Sequence, residues 1–171
     1  MIVWILLACN IALIVVIAIF FVWNVYAIVR GAPYVPSSRE RIQTMKKIAD
    51  LRKTDVVLDV GSGDGRVLRA VADVVREARG IEINPILVWW SRVMNHLCGF
   101  HMIHIVQKDF WKQDITDVDV LFVYCIDSKM IKFEKKVLGE MKSGAKVLSN
   151  GFSLPSRQPT YKERGIFLYV L

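Results

Sequence analysis

Asp59, Glu82 and Asp109 each stand where an apolar run gives out: Val56-Val57-Leu58 ahead of the first, Ala78-Arg79-Gly80-Ile81 ahead of the second, Met102-Ile103-His104-Ile105-Val106 ahead of the third. Carboxylates at strand ends can accept hydrogen bonds from a ligand's hydroxyl and amino groups. The first opens a glycine-rich corner, Asp59-Val60-Gly61-Ser62-Gly63-Asp64-Gly65-Arg66, after which a helical pattern begins. Glycine lacks a Cβ and tolerates φ > 0, so such a corner brings backbone close to a ligand, with a helix N-terminus behind it. Glu82 follows at about 20 residues, the offset at which a carboxylate meets ribose hydroxyls. These features describe a nucleotide-type cofactor site. A dinucleotide fingerprint, G-x-G-x-x-G, would need its third glycine where the large Arg66 stands. A plain glycine turn with three unrelated surface acids is the bland alternative, and the fall of all three at successive strand ends weighs against it.

Alternating strand-like and helix-like segments must position these residues, which is the signature of an α/β domain with a mostly parallel sheet. After the first strand the spacing of Val67, Leu68, Val71, Val74 and Val75 predicts a helix over about 65–78. A second strand over 78–83 leads through Asn84-Pro85 into a helix over about 86–98, with proline suited to the first turn. A third strand is expected over 102–106, a fourth over 118–125, a helix over 129–141 and a fifth strand over 145–149. Pro155 and Pro159 then break the chain, so a loop replaces a helix there, and Thr160–Glu163 with Ile166–Val170 form a closing hairpin.

The N-terminal part differs in composition. Hydrophobic residues make up 54% of the 171 residues, and the excess lies in Met1–Val29, which carries no charged side chain. That run exceeds the ~20 residues needed to cross a bilayer, with Trp4, Trp23 and Tyr26 placed as interfacial aromatics. A cleaved secretory signal fits less well, lacking a basic start and a clear cleavage site. Arg30, Arg39, Arg41, Lys46 and Lys47 follow the span and nothing basic precedes it, so the domain is expected on the cytosolic side, or the matrix side of a mitochondrion. The formal charge of +7 all follows the span and would draw the domain to anionic headgroups. No nucleic-acid recognition motif is present. Cys9, Cys98 and Cys125 form no C-x-x-C pair, and His101 and His104 have no third partner, so neither a disulfide framework nor a metal is expected.

Between span and domain, Gly31-Ala32-Pro33-Tyr34-Val35-Pro36 reads as a stiff segment, either a linker or a cover over the cofactor. Ser37-Ser38-Arg39-Glu40 has the capping-box spacing, so an amphipathic helix is expected from about Ser37, with Ile42, Met45, Ile48 and Ala49 on its buried face. The division is therefore 1–29 anchor, 30–50 linker and helix, 51–171 cofactor domain.

Asp59 to Gly65 matches D-x-G-x-G-x-G, the pattern of Rossmann-like, class I S-adenosylmethionine-dependent methyltransferases. Glu82-Ile83-Asn84-Pro85, Leu87-Val88-Trp89-Trp90-Ser91-Arg92, Asp109-Phe110-Trp111-Lys112 and Pro33-Tyr34-Val35-Pro36 narrow this. With them the chain resembles the membrane-anchored seven-strand protein-lysine methyltransferases, which include the mitochondrial enzymes acting on adenine nucleotide translocase and on the c-ring protein of ATP synthase. The resemblance implies a C-terminally shortened class I fold behind one transmembrane helix, S-adenosylmethionine as cofactor, and a membrane-associated protein as substrate. It implies that Gly61, Ser62, Gly63 and Gly65 meet the methionine part of the cofactor, with Asp59 and Asp64 ordering the loop and the amino group. Glu82 is implied at the ribose, Asp109 at the adenine amino group and Phe110 at the ring, with Tyr34 and Asn84 completing the set.

An acceptor lysine, with a reference pKa of ~10.4, must be neutral to react, and acceptor pockets of open α/β sheets lie beyond the strand ends. Tyr124 and Asp127, after the fourth strand, are the catalytic candidates, although Asp127 equally suits an N-cap. A lipid or quinone methyltransferase, or a cofactor-binding module without catalysis, are the rival readings.

Overall fold

The computed structural model describes residues 1–30, 34–125 and 127–171. Gly31, Ala32 and Pro33, the first half of the expected linker, lie outside them. The helices are α1 (Ile2–Arg30), α2 (Arg39–Ala49), α3 (Arg66–Val71), α4 (Pro85–Leu97) and α5 (Asp127–Glu140). The strands are β1 (Val56–Val60), β2 (Glu77–Glu82), β3 (Ile103–Gln107), β4 (Val120–Val123), β5 (Lys146–Asn150), β6 (Tyr161–Glu163) and β7 (Ile166–Val170).

One sheet of seven strands results, in the order β3-β2-β1-β4-β5-β7-β6, parallel except for β7, which runs antiparallel to β5 and β6. The apolar run of β1 sits at its centre, Val57 opposite Ala78 of β2 and Val120 of β4. Strands covered on both faces read as continuous apolar runs because neither side meets water, and Val56, Val57 and Leu58 are all buried. Val57, Phe122 and Leu148 pack on one face with residues of α2, α3 and α4, while Leu58, Leu121 and Val147 pack on the other with Met130, Phe133 and Val137 of α5. This is the Rossmann-like α/β fold that the motifs imply. Residues 151–160 carry no helix, and the β6–β7 hairpin closes the sheet as expected.

Two local expectations are revised. Helix α3 ends at Val71 and passes through a 3-10 turn, Ala72–Val74, instead of running to about 78; Val75 is already extended, as suits a β-branched residue. The cap of α2 is Ser38, whose side chain accepts from the Arg41 amide, and not Ser37. The Ser37 hydroxyl instead accepts from the Asn150 side-chain amide at 3.1 Å. Ile42, Met45 and Ala49 of α2 are buried as the periodicity requires.

Helix α1 includes Ile2–Trp23, a stretch long and apolar enough to cross a membrane, with a mean hydropathy of 3.1 and none of it buried against the rest of the chain.

Candidate functional site

The chain reverses its direction of winding between β1 and β4, and the crevice at such a switch point, beyond the C-terminal ends of parallel strands, is where open α/β sheets bind ligands. A cavity lies there. Its wall takes Asp59, Gly61, Ser62, Gly63 and Asp64 from the end of β1 and its loop, Glu82 and Asn84 from the end of β2, Asp109 and Phe110 beyond β3, and Tyr124 beyond β4. Tyr34 reaches it from the segment ahead of α2. Ten of the eleven expected cofactor residues thus converge on one space; Gly65 does not line it.

Gly65 serves packing instead. At φ +80° it caps α3, and a Cβ there would lie 2.2 Å from the Ser91 hydroxyl, so the glycine lets α4 close onto the loop. Gly63, at φ +55°, sits beneath Tyr34: a Cβ would come within 2.7 Å of the Tyr34 ring. Tyr34 therefore covers the loop as one side of the cavity.

The loop amides face inward to the protein. Gly61 and Ser62 both donate to the Ile81 carbonyl, Gly63 donates to the Glu82 carboxylate at 2.9 Å, and Gly65 donates to the Ser62 carbonyl. Glu82 also accepts from the Ile83 and Asn84 amides at 2.7 and 2.8 Å. A pyrophosphate would need such amides free, whereas here they hold the loop to β2. The Asn84 side chain caps α4 through the Ile86 amide, and its Nδ2 is buried without a partner among the described residues.

What the cavity offers is negative charge. Asp59 is buried, and no described residue donates a hydrogen bond to its carboxylate. Burial first, then repulsion from Glu82 and Asp64, pushes its pKa up to about 7. Burial likewise raises Glu82, although the Asn84, Gly63 and Ile83 amides oppose the shift. For Asp64 burial is outweighed by its hydrogen bonds and ion pair with Arg66, at 2.9 Å, and the carboxyl is lowered. Burial and the Asp64 charge raise Tyr34. A buried carboxylate without a protein partner is stabilised by a cationic ligand. The residues present fit the ammonium and sulfonium of S-adenosylmethionine better than a dinucleotide.

Farther along the wall, Asp109 accepts from the Trp111 amide and so turns the chain into a short 3-10 helix, Phe110–Lys112. That turn buries Phe110 against Phe133, ring centres 5.7 Å apart, and makes a flat apolar side next to an acid. Of the two catalytic candidates, Tyr124 lines the cavity; Asp127 is exposed, the first residue of α5, and is not part of the wall. Leu87, Lys108, Trp111 and Phe133 are among the further lining residues, and the sequence did not single them out for it. Their signal is topological, because each comes from an element that only the sheet order brings to this edge.

A family model described as the ANTKMT methyltransferase domain matches residues 59–161. The lysine N-methyltransferase of the ATP synthase c-ring protein from Xenopus laevis is 32% identical over 130 residues, covering 75% of this chain and 57% of that protein. Adenine nucleotide translocase lysine N-methyltransferase of Mus musculus is 33% identical over 129 residues, 74% of this chain and 56% of the other. The chain thus spans somewhat more than half the length of these relatives. Among solved structures, an RNA methyltransferase from Salinibacter ruber in complex with S-adenosyl-L-homocysteine superposes with a TM-score of 0.72 at 29% identity, covering 79% of this chain and 91% of that one.

Proposed function

Because this chain belongs to the ANTKMT methyltransferase domain family, we propose that it is an S-adenosylmethionine-dependent protein-lysine N-methyltransferase, held at a membrane by α1 and acting on a membrane-associated protein. The observation that carries this reading is the Asp59 carboxylate, buried in a glycine-lined cavity without a partner among the described residues. The names of the relatives support lysine as the acceptor.

S-adenosylmethionine held in this cavity would supply a methyl group already activated on its sulfonium, for attack by a neutral lysine nitrogen with the sulfur–methyl bond breaking and S-adenosylhomocysteine as the leaving product. The protein's work is mostly positioning, which can supply on the order of 7–11 kcal/mol. Asp59 would hold the ammonium, Glu82 the ribose hydroxyls, Asp109 the adenine amino group, and Phe110 would lie along the ring. Tyr34, over Gly63, would keep water from the reacting centre. The acceptor amine must reach the cavity unprotonated; Tyr124, on the wall, is the group we place against it, with Asp127, exposed at the start of α5, as the second candidate.

The test is to incubate the full chain with membranes and methyl-labelled S-adenosylmethionine. Label in a protein band, as methyl-lysine, supports the proposal. Label in the organic extract would make the acceptor a lipid or quinone, and cofactor binding without transfer to any fraction would make the chain a binding module.

A further inference from the structure

Helix α4 is built partly inside out. Leu87, Val88, Ser91 and Asn95 face the protein, and the Ser91 hydroxyl and Asn95 Nδ2 are buried there without partners among the described residues. At 100° per residue the opposite stripe is Ile86, Trp89, Trp90, Val93 and Leu97, apolar except for the exposed His96 among them. Trp89 is 61%, Trp90 46% and Leu97 73% exposed. Helix α4 packs on Ile103 and Ile105 of the edge strand β3 through Val88, so this stripe is the side of α4 turned away from the sheet. Large apolar side chains exposed side by side in this way mark an interaction site.

The occupant follows from what adjoins the patch. Trp23 and Tyr26, at the end of the apolar stretch of α1, share a shallow depression with Ile83, Gln107, Lys108, Asp109 and Lys112, two cations against one acid. Ile83 comes two residues ahead of α4, and Lys108 follows the last residue of β3. The membrane-crossing helix therefore ends beside the first turn of α4, on the same edge of the sheet. An exposed tryptophan stripe next to a lysine-bearing depression is the composition of a surface that lies in the headgroup region, the rings at the boundary and the cations toward anionic lipid.

We propose that the outward face of α4 seats in the headgroup layer of an anionic bilayer and turns the rim of the cofactor cavity toward the membrane. This rests on α1 spanning the membrane. Leu87 and Asn84, on the inner side of the same helix and at its cap, line the cavity, so the seat fixes the height at which an acceptor lysine can enter. Acceptors would be lysines within the headgroup layer, such as those flanking a membrane span, and not lysines on a domain far from the bilayer.

The experiment uses the full chain with Cys9, Cys98 and Cys125 replaced by serine and a polarity-sensitive fluorophore on Leu97→Cys, or on Leu138→Cys of α5 as the control. Proteins are reconstituted in phosphatidylcholine vesicles containing phosphatidylserine and lipids spin-labelled near the headgroup. Binding of S-adenosylmethionine by each labelled chain verifies its fold, and Trp90→Cys supplies a second label position on the stripe if Leu97→Cys binds poorly. The stripe label is expected to be quenched at least threefold more than the Leu138 label, at every protein-to-lipid ratio. Equal quenching at both positions, in a chain that resists alkaline carbonate extraction, would overturn the seat and leave the anchor standing. Burial of the stripe label that appears only at high protein density would assign the face to a second copy of the chain and overturn the proposal. Release by carbonate would remove the anchor, and the proposal with it.

Discussion

The Glu82 carboxylate accepts from the Gly63 amide at 2.9 Å, joining the end of β2 to the glycine loop of β1 across the floor of the cavity. The same carboxylate takes the Ile83 and Asn84 amides, so it builds the site as well as facing it. Glu82→Ala should therefore weaken cofactor binding and also destabilise the domain, since each buried amide left unsatisfied costs about 1–3 kcal/mol unless water enters. Glu82→Gln, which keeps an acceptor oxygen, should recover much of the stability and less of the affinity. Urea unfolding beside a binding titration checks both; a Glu82→Ala chain of unchanged stability would contradict the bridging role.

Gly63→Ala meets two obstacles. The backbone there is left-handed, costing roughly 1–2 kcal/mol for a residue with a Cβ, and the new methyl would press on the Tyr34 ring. We expect cofactor affinity to fall about tenfold or more, the rate of one decade per ~1.4 kcal/mol. Adding Tyr34→Ala should relieve the contact but not the backbone cost, so the double variant should lose less than the sum of the two single losses. Strict additivity in this cycle would show that Tyr34 and Gly63 do not act together.

Asp59 gives a pH signature. Its folded pKa of about 7 lies above the unfolded value, so the folded chain binds that proton more tightly. Its contribution to stability is present at low pH and declines as pH rises from about 4 to about 7, by as much as ~1.4 kcal/mol per unit. Cofactor binding runs the other way. Below about 7 the carboxyl is neutral and offers the ammonium no charge, so affinity should fall up to about tenfold per unit on acidification. Asp59→Asn should bind weakly and flatten both profiles over this window; a profile unchanged by the substitution would remove Asp59 from both.

At the acceptor side, Tyr124→Phe should lower turnover by about 10²-fold or more, the lower end for proton-transfer groups, with cofactor affinity unchanged. Asp127→Asn separates the two readings of that residue. A fall in turnover places it at the acceptor, whereas a loss of only about 0.3–1 kcal/mol of stability makes it the acidic first turn of α5.

The parts of the fold legible in the sequence were those written in local periodicity. Val56-Val57-Leu58 stops at Asp59, Pro85 opens α4, and the hairpin from Thr160 to Val170 turns about Arg164-Gly165, so strands, helices and acids at strand ends could be placed. Long-range contacts could not. The Ser37 hydroxyl goes to Asn150, 113 residues away, and that contact moves the cap of α2 to Ser38. Gly65 belongs to the motif, yet its demand comes from Ser91 on another helix. The outward tryptophans of α4 read as ordinary helix aromatics until the burial of Ser91 and Asn95 fixes which face is inside.

Whether this cavity takes S-adenosylmethionine through the buried Asp59 carboxylate is tested most directly by calorimetric titration of the full chain, beside Asp59→Asn and with NADH as the control ligand. We expect saturable binding of S-adenosylmethionine, binding at least about tenfold weaker in Asp59→Asn, and no saturable heat with NADH. Equal affinity in the two chains, or saturable binding of NADH with none of S-adenosylmethionine, would contradict that assignment.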